Sequence, residues 1–251
     1  MSARSLRWMA YARWQLLDAI WQRLALPLGL TALFTFAGFY SMNEMASGRP
    51  DFWTTDDAGR FTRMMLRQAM SIYIPLAVLM GTNGIVAQDR QKGFFRFFFA
   101  KPVPVPDFYL SAYLIHAALA TAGAALIAAG IGWYSTPQPV LATAMACALT
   151  FALLGSLLFL LSTLTYQDGL AFVIGWMLTL TLRQVEPALK DGHWLHAAVR
   201  VLPPTHRLDA VRDALYAGQA WSAVDAWHVL GYGGACLVLG LVALRRLPLA
   251  R

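Results

Sequence analysis

Residues 140–165, VLATAMACALTFALLGSLLFLLSTLT, form a continuous apolar run that contains no charged side chain. The hydrocarbon core of a bilayer is about 30 Å thick and is crossed by roughly 20 residues of α-helix, so this run is long enough to span it. The run is rich in Leu and Ala and does not alternate at every second residue, which favours a helix over a strand of a β-barrel. It therefore predicts a transmembrane helix.

The rest of the chain has the same apolar character. Of its 251 residues, 58% are hydrophobic and only 13% are charged. Five further apolar runs are candidate spans: 24–41, 65–87, 108–133, 169–182 and 226–244. The first run has no convincing cleavage site before it, so we expect it to be retained rather than removed as a signal peptide. We predict an all-α integral membrane protein with about six transmembrane helices in a single domain, residues 1–251.

The charge distribution predicts the orientation of these spans. With six spans and a cytosolic N-terminus, the segments on the cytosolic side carry the entire formal surplus of +7. This asymmetry is typical of the positive-inside bias. We therefore expect cytosolic N- and C-termini in a multi-pass protein of the cytoplasmic membrane. The basic charge is explained by topology and by contact with membrane lipids, and it predicts no nucleic-acid partner.

Residues 3–22 precede the first span and have the pattern of an amphipathic helix. Arg4, Arg7 and Gln15 fall on one narrow polar stripe at 3.6 residues per turn, and leucines face the opposite side. Tryptophans lie at the margins, as in helices that rest in the membrane interface. We predict an interfacial helix here, while a helix packed on another subunit remains the alternative.

The longest stretch outside the spans is 183–225, which we expect at the outer face. It contains HWLHAAVRVL, a break at Pro203 and Pro204, and then THRLDAVRDALYAG. Thr205 is a suitable N-cap residue and Gly218 a suitable terminator, so the second segment predicts a short helix between them. We expect two short helices in this region.

Residues 87–108, AQDRQKGFFRFFFAKPVPVPDF, interrupt the apolar pattern with charges, clustered phenylalanines and alternating prolines. Charged groups are costly in hydrocarbon and phenylalanines are costly in water, so a short helix at the membrane boundary accommodates both. The prolines are expected to keep the chain extended until Asp107 begins the next span. This segment suits either docking to a cytosolic partner or an interfacial aromatic belt.

The order of features in this stretch resembles the polar loop of type-two ABC transporter permeases. An acid-base pair, Asp89 and Arg90, is followed by Gly93, a hydrophobic patch and Pro102 in the turn to the third span. Residues 3–22 are similar to the connecting helix of that family, and residues 202–218 to its last outer segment. The richness in Phe and the proline alternation depart from the family pattern, which leaves the form of the docking surface open.

The resemblance implies a permease subunit of an ABC exporter that acts as a dimer with an identical or related permease subunit. Its coupling loop would be 88–106, contacting a separate cytosolic ATPase subunit through Asp89, Arg90, Lys92, Gly93, Phe94, Phe97 and Phe98. By the same analogy, the second and fifth spans would line the substrate path. The candidate path residues are Tyr73, Met80, Asn83, Trp176 and Thr179, although Asn83 and Thr179 also suit hydrogen bonds between helices.

The chain carries no sign of an ATPase of its own. None of its three lysines lies in the G-x-x-x-x-G-K-[ST] pattern that cradles nucleotide phosphates. We therefore expect it not to be an enzyme and to bind no cofactor, with ATP and magnesium on the partner ATPase.

Two other functions remain open. His193, His196, His206 and Asp209 suggest a metal-dependent membrane hydrolase, but the H-E-x-x-H pattern is missing. A structural or assembly subunit that does not transport is the second. We expect no metal site, buried thiols at Cys147 and Cys236, and a hydrogen bond from His116 to a neighbouring helix.

Overall fold

A computed structural model describes residues 13, 15–17, 19–47, 55–87, 89, 104–135, 137–165, 167–185 and 202–246. All regular structure in these ranges is helical, as predicted. The α-helices are α1 (Ala25–Ser47), α2 (Thr55–Thr82), α3 (Val105–Tyr134), α4 (Val140–Thr150), α5 (Ser156–Leu164), α6 (Asp168–Val185), α7 (Thr205–Ala217) and α8 (Ala223–Arg246). One π-helical segment, Ala19–Leu24, leads into α1, and another, Phe151–Gly155, joins α4 to α5.

Five helical stretches are long and apolar enough to cross a membrane, which makes the chain a multi-pass membrane protein by length and composition. They are Gln15–Ser41, Gly59–Thr82, Val105–Trp133, Val140–Leu164 and Ala223–Arg246. Each one overlaps a run predicted from the sequence. Periodic or continuous apolarity over this length leaves few alternatives to a membrane helix, which is why these elements could be predicted.

The predicted run 169–182 lies in α6, which is shorter than the other five. Its clearly apolar part is Asp168–Thr179. At 1.5 Å per residue the whole helix of 18 residues is about 27 Å long, close to the thickness of the hydrocarbon core. A sixth span at this position therefore remains a prediction.

Two predicted boundaries beside the 88–106 loop are wrong. The second span does not continue to residue 87, because α2 ends at Thr82 and a turn follows in which Gly84 has φ 70°. Glycine enters this left-handed region without the steric cost of a β-carbon. The third span begins at Val105 and not at Asp107, since Pro106 lies in the first helical turn, where its missing N–H costs no hydrogen bond.

The last helix packs closely on the middle of the fourth span. A β-carbon at Gly233 would collide with the carbonyl oxygen of Ala152, and one at Gly240 would lie 2.8 Å from the ring of Phe159. The π-helical segment Phe151–Gly155 is therefore covered by α8 at the closest approach of the two spans. Cys147 and Cys236 are free and buried, as predicted.

Two further predictions concern the segment before the first span and the short helix before the last span. Most of the predicted interfacial helix 3–22 lies outside the described residues, and Ala19–Leu24 continues into α1 without a break. Helix α7 ends at Gly218, which has φ 65° as expected of a helix terminator. Thr205, however, is not the N-cap, because α7 begins at this residue and Pro204 precedes it without a side-chain cap.

The bundle has two ends of different chemistry. The Asp168 end comprises the segment Ala19–Leu24, the end of α2, the start of α3 and the connection from α5 to α6. The Tyr216 end comprises the start of α2 and helix α7, which packs against α4 and α8. Helix α2 contributes to both ends.

Candidate functional site at the Asp168 end

Asp168 holds the turn that ends α2. Its side chain is only 4% exposed, and its Oδ2 accepts a hydrogen bond of 2.6 Å from the backbone N–H of Gly84. Its Oδ1 accepts a second bond, of 3.0 Å, from the N–H of Gly169. A buried carboxylate is tolerated when such donors satisfy it, and an acidic residue at the start of α6 also interacts favourably with the helix dipole. The first residue of α6 is thereby fixed to the end of α2.

Ser162 holds the next two residues of the same turn. Its Oγ accepts hydrogen bonds of 3.1 Å from the backbone N–H groups of Val86 and Ala87. These N–H groups lie after the end of α2 and take no part in the backbone hydrogen bonds of that helix, so they need other acceptors. Ser162 lies in α5 and is fully buried. It attaches the last residues before the 88–106 loop to the fourth span.

Arg23 binds the carbonyl groups at the same helix end. Its Nη1 donates to the backbone oxygens of Met80, Gly81 and Asn83 at 3.3 to 3.4 Å. The last carbonyls of an α-helix lack intrahelical partners and form the negative end of its dipole, which a guanidinium neutralises. The π-helical segment before α1 is therefore also fixed to the end of α2.

These contacts together form what we name the α2 anchor: Arg23, Ser162, Asp168 and the backbone of residues 80–87. Three separate segments supply its side chains, and each satisfies backbone groups that the broken helix exposes. The arrangement contains no activated nucleophile or acid-base pair. Its physical effect is to fix the place and direction in which the chain leaves α2.

The chain returns to nearly the same place at the start of α3. Tyr109, which is 1% exposed, donates a hydrogen bond of 2.9 Å to Oδ2 of Asp89. The Oγ of Ser111, two residues further on, lies 3.2 Å from Oε1 of Gln15. Asp89, which directly precedes the segment 90–103, is therefore hydrogen-bonded to Tyr109 in the second turn of α3, the helix that follows the segment.

The predicted coupling residues are only partly visible. Asp89 lies at the root of the loop, where its carboxylate meets Tyr109. The others, Arg90, Lys92, Gly93, Phe94, Phe97 and Phe98, lie outside the described residues. Their contacts with an ATPase and with the membrane remain predictions.

The five candidate path residues lie in three different surroundings. Tyr73 is fully buried and donates a 3.0 Å hydrogen bond to the carbonyl of Ala120, which joins α2 to α3. Met80 and Asn83 lie at the α2 anchor. Trp176 stacks on another ring of α6, and Thr179 bonds within α6 to the carbonyl of Gly175. The structure thus places Met80 and Asn83 close together at the end of α2 and Trp176 and Thr179 one turn apart on α6. Contact of any of the five with a substrate remains a prediction.

Several residues of the site were missed from the sequence. Arg23 and Asp168 entered only the charge balance, and Tyr109 and Ser162 had no assigned role. The pair Asn83-Gly84 is a turn signal that predicts a helix end. The surrounding apolar run concealed it, because Ile85, Val86 and Ala87 read as a continuation of the span.

The histidines give no support to the hydrolase alternative. Nδ1 of His116 lies 2.6 Å from the carbonyl oxygen of Ala112, in its own helix rather than in the neighbouring helix that we expected. His193 and His196 lie outside the described residues. In the part of the chain that the structure describes, three or more His, Cys, Asp or Glu side chains do not converge on one point.

The sequence matches no protein-family model and no curated protein. The function must therefore be inferred from the residues of this chain and from the resemblance of its 88–106 segment to exporter permeases.

Proposed function

We propose that the chain is the transmembrane permease subunit of an ABC exporter. In this proposal α6 also crosses the membrane and brings the number of spans to six. The Asp168 end faces the cytosol together with both termini, and the protein lies in the cytoplasmic membrane. It forms a dimer with an identical or related permease subunit. A separate cytosolic ATPase binds ATP and magnesium and contacts residues 88–99.

The observation that carries this proposal is the attachment of both ends of the 88–103 segment. The exit from α2 is held by the α2 anchor, and the return into α3 is held by the bond between Tyr109 and Asp89. If the segment were attached loosely to its helices, a partner that displaced it would move the segment alone and leave the helices in place. A segment attached at both ends passes the displacement on to the helices, as the coupling of a partner to a conformational change requires.

The anchor also determines which helices receive that displacement. Residues 80–87 are bonded to α5 through Ser162, to α6 through Asp168 and to the segment before α1 through Arg23. Movement of the loop would therefore reach the first, second, fourth and fifth predicted spans at once. Such a rigid attachment suits a switch between inward- and outward-facing arrangements that a partner ATPase biases.

The experiment that tests the proposal starts with the tagged full-length chain, purified from its native membranes in mild detergent. Mass spectrometry of the stoichiometric partners should identify a soluble ATPase and either a second permease or only this chain. Scrambling residues 88–99 should abolish association with the ATPase. A stable complex without an ATPase would contradict the proposal and favour the structural or assembly subunit.

A second variant separates docking from coupling. Asp168→Asn should keep the ATPase bound, because residues 88–99 are unchanged, but should reduce the stimulation of ATP hydrolysis by transport substrate. Asp107→Asn is the matched control, since it removes an exposed carboxylate at the same end of the bundle. If transport substrate stimulated ATP hydrolysis equally in the two variants, the α2 anchor would not transmit the displacement of the loop to the helices.

A further inference from the structure

A cleft opens at the Tyr216 end, far along α2 from the anchor. It lies between the start of α2 and the end of α7 and has a volume of about 500 Å³. Its lining residues are Arg60, Arg63, Met64, Leu66, Arg67, Tyr216 and Ala217. The volume is within the range typical of small-molecule sites in proteins.

Three arginines form one wall of this cleft. Arg60, Arg63 and Arg67 follow one another at spacings of three and four residues, so they share one face of α2. All three are exposed, and the described residues that line the cleft include no carboxylate to balance them. Nearby, Arg212 of α7 is already paired with Asp209 at 2.9 Å, whereas Asp213 is exposed. The cleft therefore has a concentrated positive charge.

Tyr216 lines the opposite wall, and its hydroxyl is buried beneath the surface of the cleft. Tyr216 is 7% exposed, and its Oη has no hydrogen-bond partner among the described residues. Burial raises the pKa of this phenol above its usual value, so the group stays protonated at neutral pH and is available as a donor. A buried hydroxyl without a partner is costly, and such groups in native proteins commonly mark a missing ligand or water.

The chemistry of these groups selects the ligand. Guanidinium groups only donate hydrogen bonds, and their planar fork matches the oxygens of a phosphate. The span that contains them begins at Gly59, so the arginines occupy its first turns, and we expect them near the membrane boundary, where lipid phosphates lie. We propose that this cleft, which we name the Arg63 cleft, binds the phosphate of an anionic lipid headgroup or of a soluble phosphorylated molecule. The site does not depend on the transporter proposal.

The test measures binding to the full-length protein in mild detergent. The probes are radiolabelled phosphatidylglycerol and inorganic phosphate, each titrated alone and in competition. The double variant R63Q/R67Q should weaken phosphatidylglycerol binding about tenfold or more, because each lost charged hydrogen bond contributes on that scale. R245Q/R246Q is the matched control, since both of these arginines are exposed at the far end of α8. Its affinity should equal that of the wild type.

Tyr216→Phe provides a readout that a purely structural role would not give. The variant should bind phosphatidylglycerol several-fold more weakly, roughly the effect of one lost hydrogen bond. Without lipid it should be as stable as the wild type or more stable, because the removed hydroxyl has no partner in the described structure.

The competition distinguishes the two sources of phosphate. Displacement of phosphatidylglycerol by millimolar inorganic phosphate would assign the site to soluble phosphate compounds, and binding that survives this competition would assign it to the lipid headgroup. Absence of saturable binding of both probes would overturn the proposal. So would binding that is unchanged in R63Q/R67Q and Tyr216→Phe. If the double variant does not fold, R63Q alone and Tyr216→Phe decide in the same way.

Discussion

The two ends of α2 differ in whether the protein itself satisfies their polar groups. At the Asp168 end, the broken helix meets one guanidinium, one hydroxyl and one carboxylate that pair with its exposed backbone groups. At the Tyr216 end, three arginines and Tyr216, whose hydroxyl is buried without a partner among the described residues, line a cleft. The described lining of this cleft includes no carboxylate. Among the described residues, the polar groups at the first end of the helix are thus paired, whereas no carboxylate lines the cleft at the second.

This difference distinguishes polar groups that maintain the structure of an apolar bundle from polar groups that are available to bind a ligand. A polar network whose members are all paired fixes geometry, and its loss reduces stability whether or not a ligand is present. A set of donors without acceptors gains its partners only on binding. Substitutions at the Asp168 end should therefore lower the stability of the free protein, whereas those at the Tyr216 end should mainly affect ligand binding.

The largest effect is expected for Asp168→Ala. The change leaves the buried N–H of Gly84 without its 2.6 Å partner and should cost about 3 kcal/mol of unfolding free energy. Denaturant unfolding in detergent, followed by circular dichroism, measures it. Asp107→Ala, which removes an exposed carboxylate at the same end, should cost less than about 1 kcal/mol. Equal losses in the two variants would show that the anchor adds nothing beyond surface charge.

Arg23→Gln should have the next largest effect, about 1.5 kcal/mol, because three carbonyls at the end of α2 lose a charged donor. The bonds are long and the side chain is half-buried, so water can replace part of the interaction. Arg13→Gln is the control, as Arg13 is an exposed arginine ahead of the same segment. Thermal unfolding of the two proteins in one detergent makes the comparison, and a larger loss for Arg13→Gln would contradict it.

A smaller loss, about 1 kcal/mol, is expected for Ser162→Ala. The hydroxyl accepts from two backbone N–H groups, but both bonds are 3.1 Å long and neutral. The control is Ser71→Ala, since Ser71 is exposed and its hydroxyl bonds to the carbonyl of Gln68 in its own helix. We expect a change within about 0.5 kcal/mol there. Identical unfolding midpoints for the two variants would remove Ser162 from the anchor.

The spans could be predicted from the sequence, but the anchor could not. A run such as 140–165 identifies a membrane helix by composition alone, and Gly218 ends α7 where a glycine terminator is expected. The bond that Gly84 donates to Asp168 joins residues 84 positions apart, and the bond that Arg23 donates to Asn83 joins residues 60 positions apart. Side-chain pairs at such distances leave no periodic signal in a single sequence.

Boundary errors had a local physical cause. Because the residues after Gly84 are apolar, the second span was predicted to end five residues too late. Because prolines precede Asp107, α3 was predicted to begin two residues too late. Hydropathy measures the preference of a residue for hydrocarbon, not the conformation of its backbone. It therefore cannot distinguish a buried turn from a continuing helix, or a proline in a first helical turn from one in an extended chain.

The smallest change in stability is expected for Tyr216→Phe, and its sign is the sharpest test of the comparison. Removing an unpaired buried hydroxyl should leave the stability of the ligand-free protein unchanged or slightly higher, since no hydrogen bond is lost among the described residues.

Tyr113→Phe is the matched control, in which a paired hydroxyl is removed. The Tyr113 hydroxyl is buried too, but it lies 2.8 Å from Oγ of Ser156 and 3.2 Å from the carbonyl oxygen of Phe151, so its removal should cost about 1 kcal/mol. Parallel denaturant titrations in lipid-free detergent measure both variants. A loss for Tyr216→Phe equal to that for Tyr113→Phe would mean that the protein already satisfies the Tyr216 hydroxyl, and the contrast between the two ends of α2 would then fail.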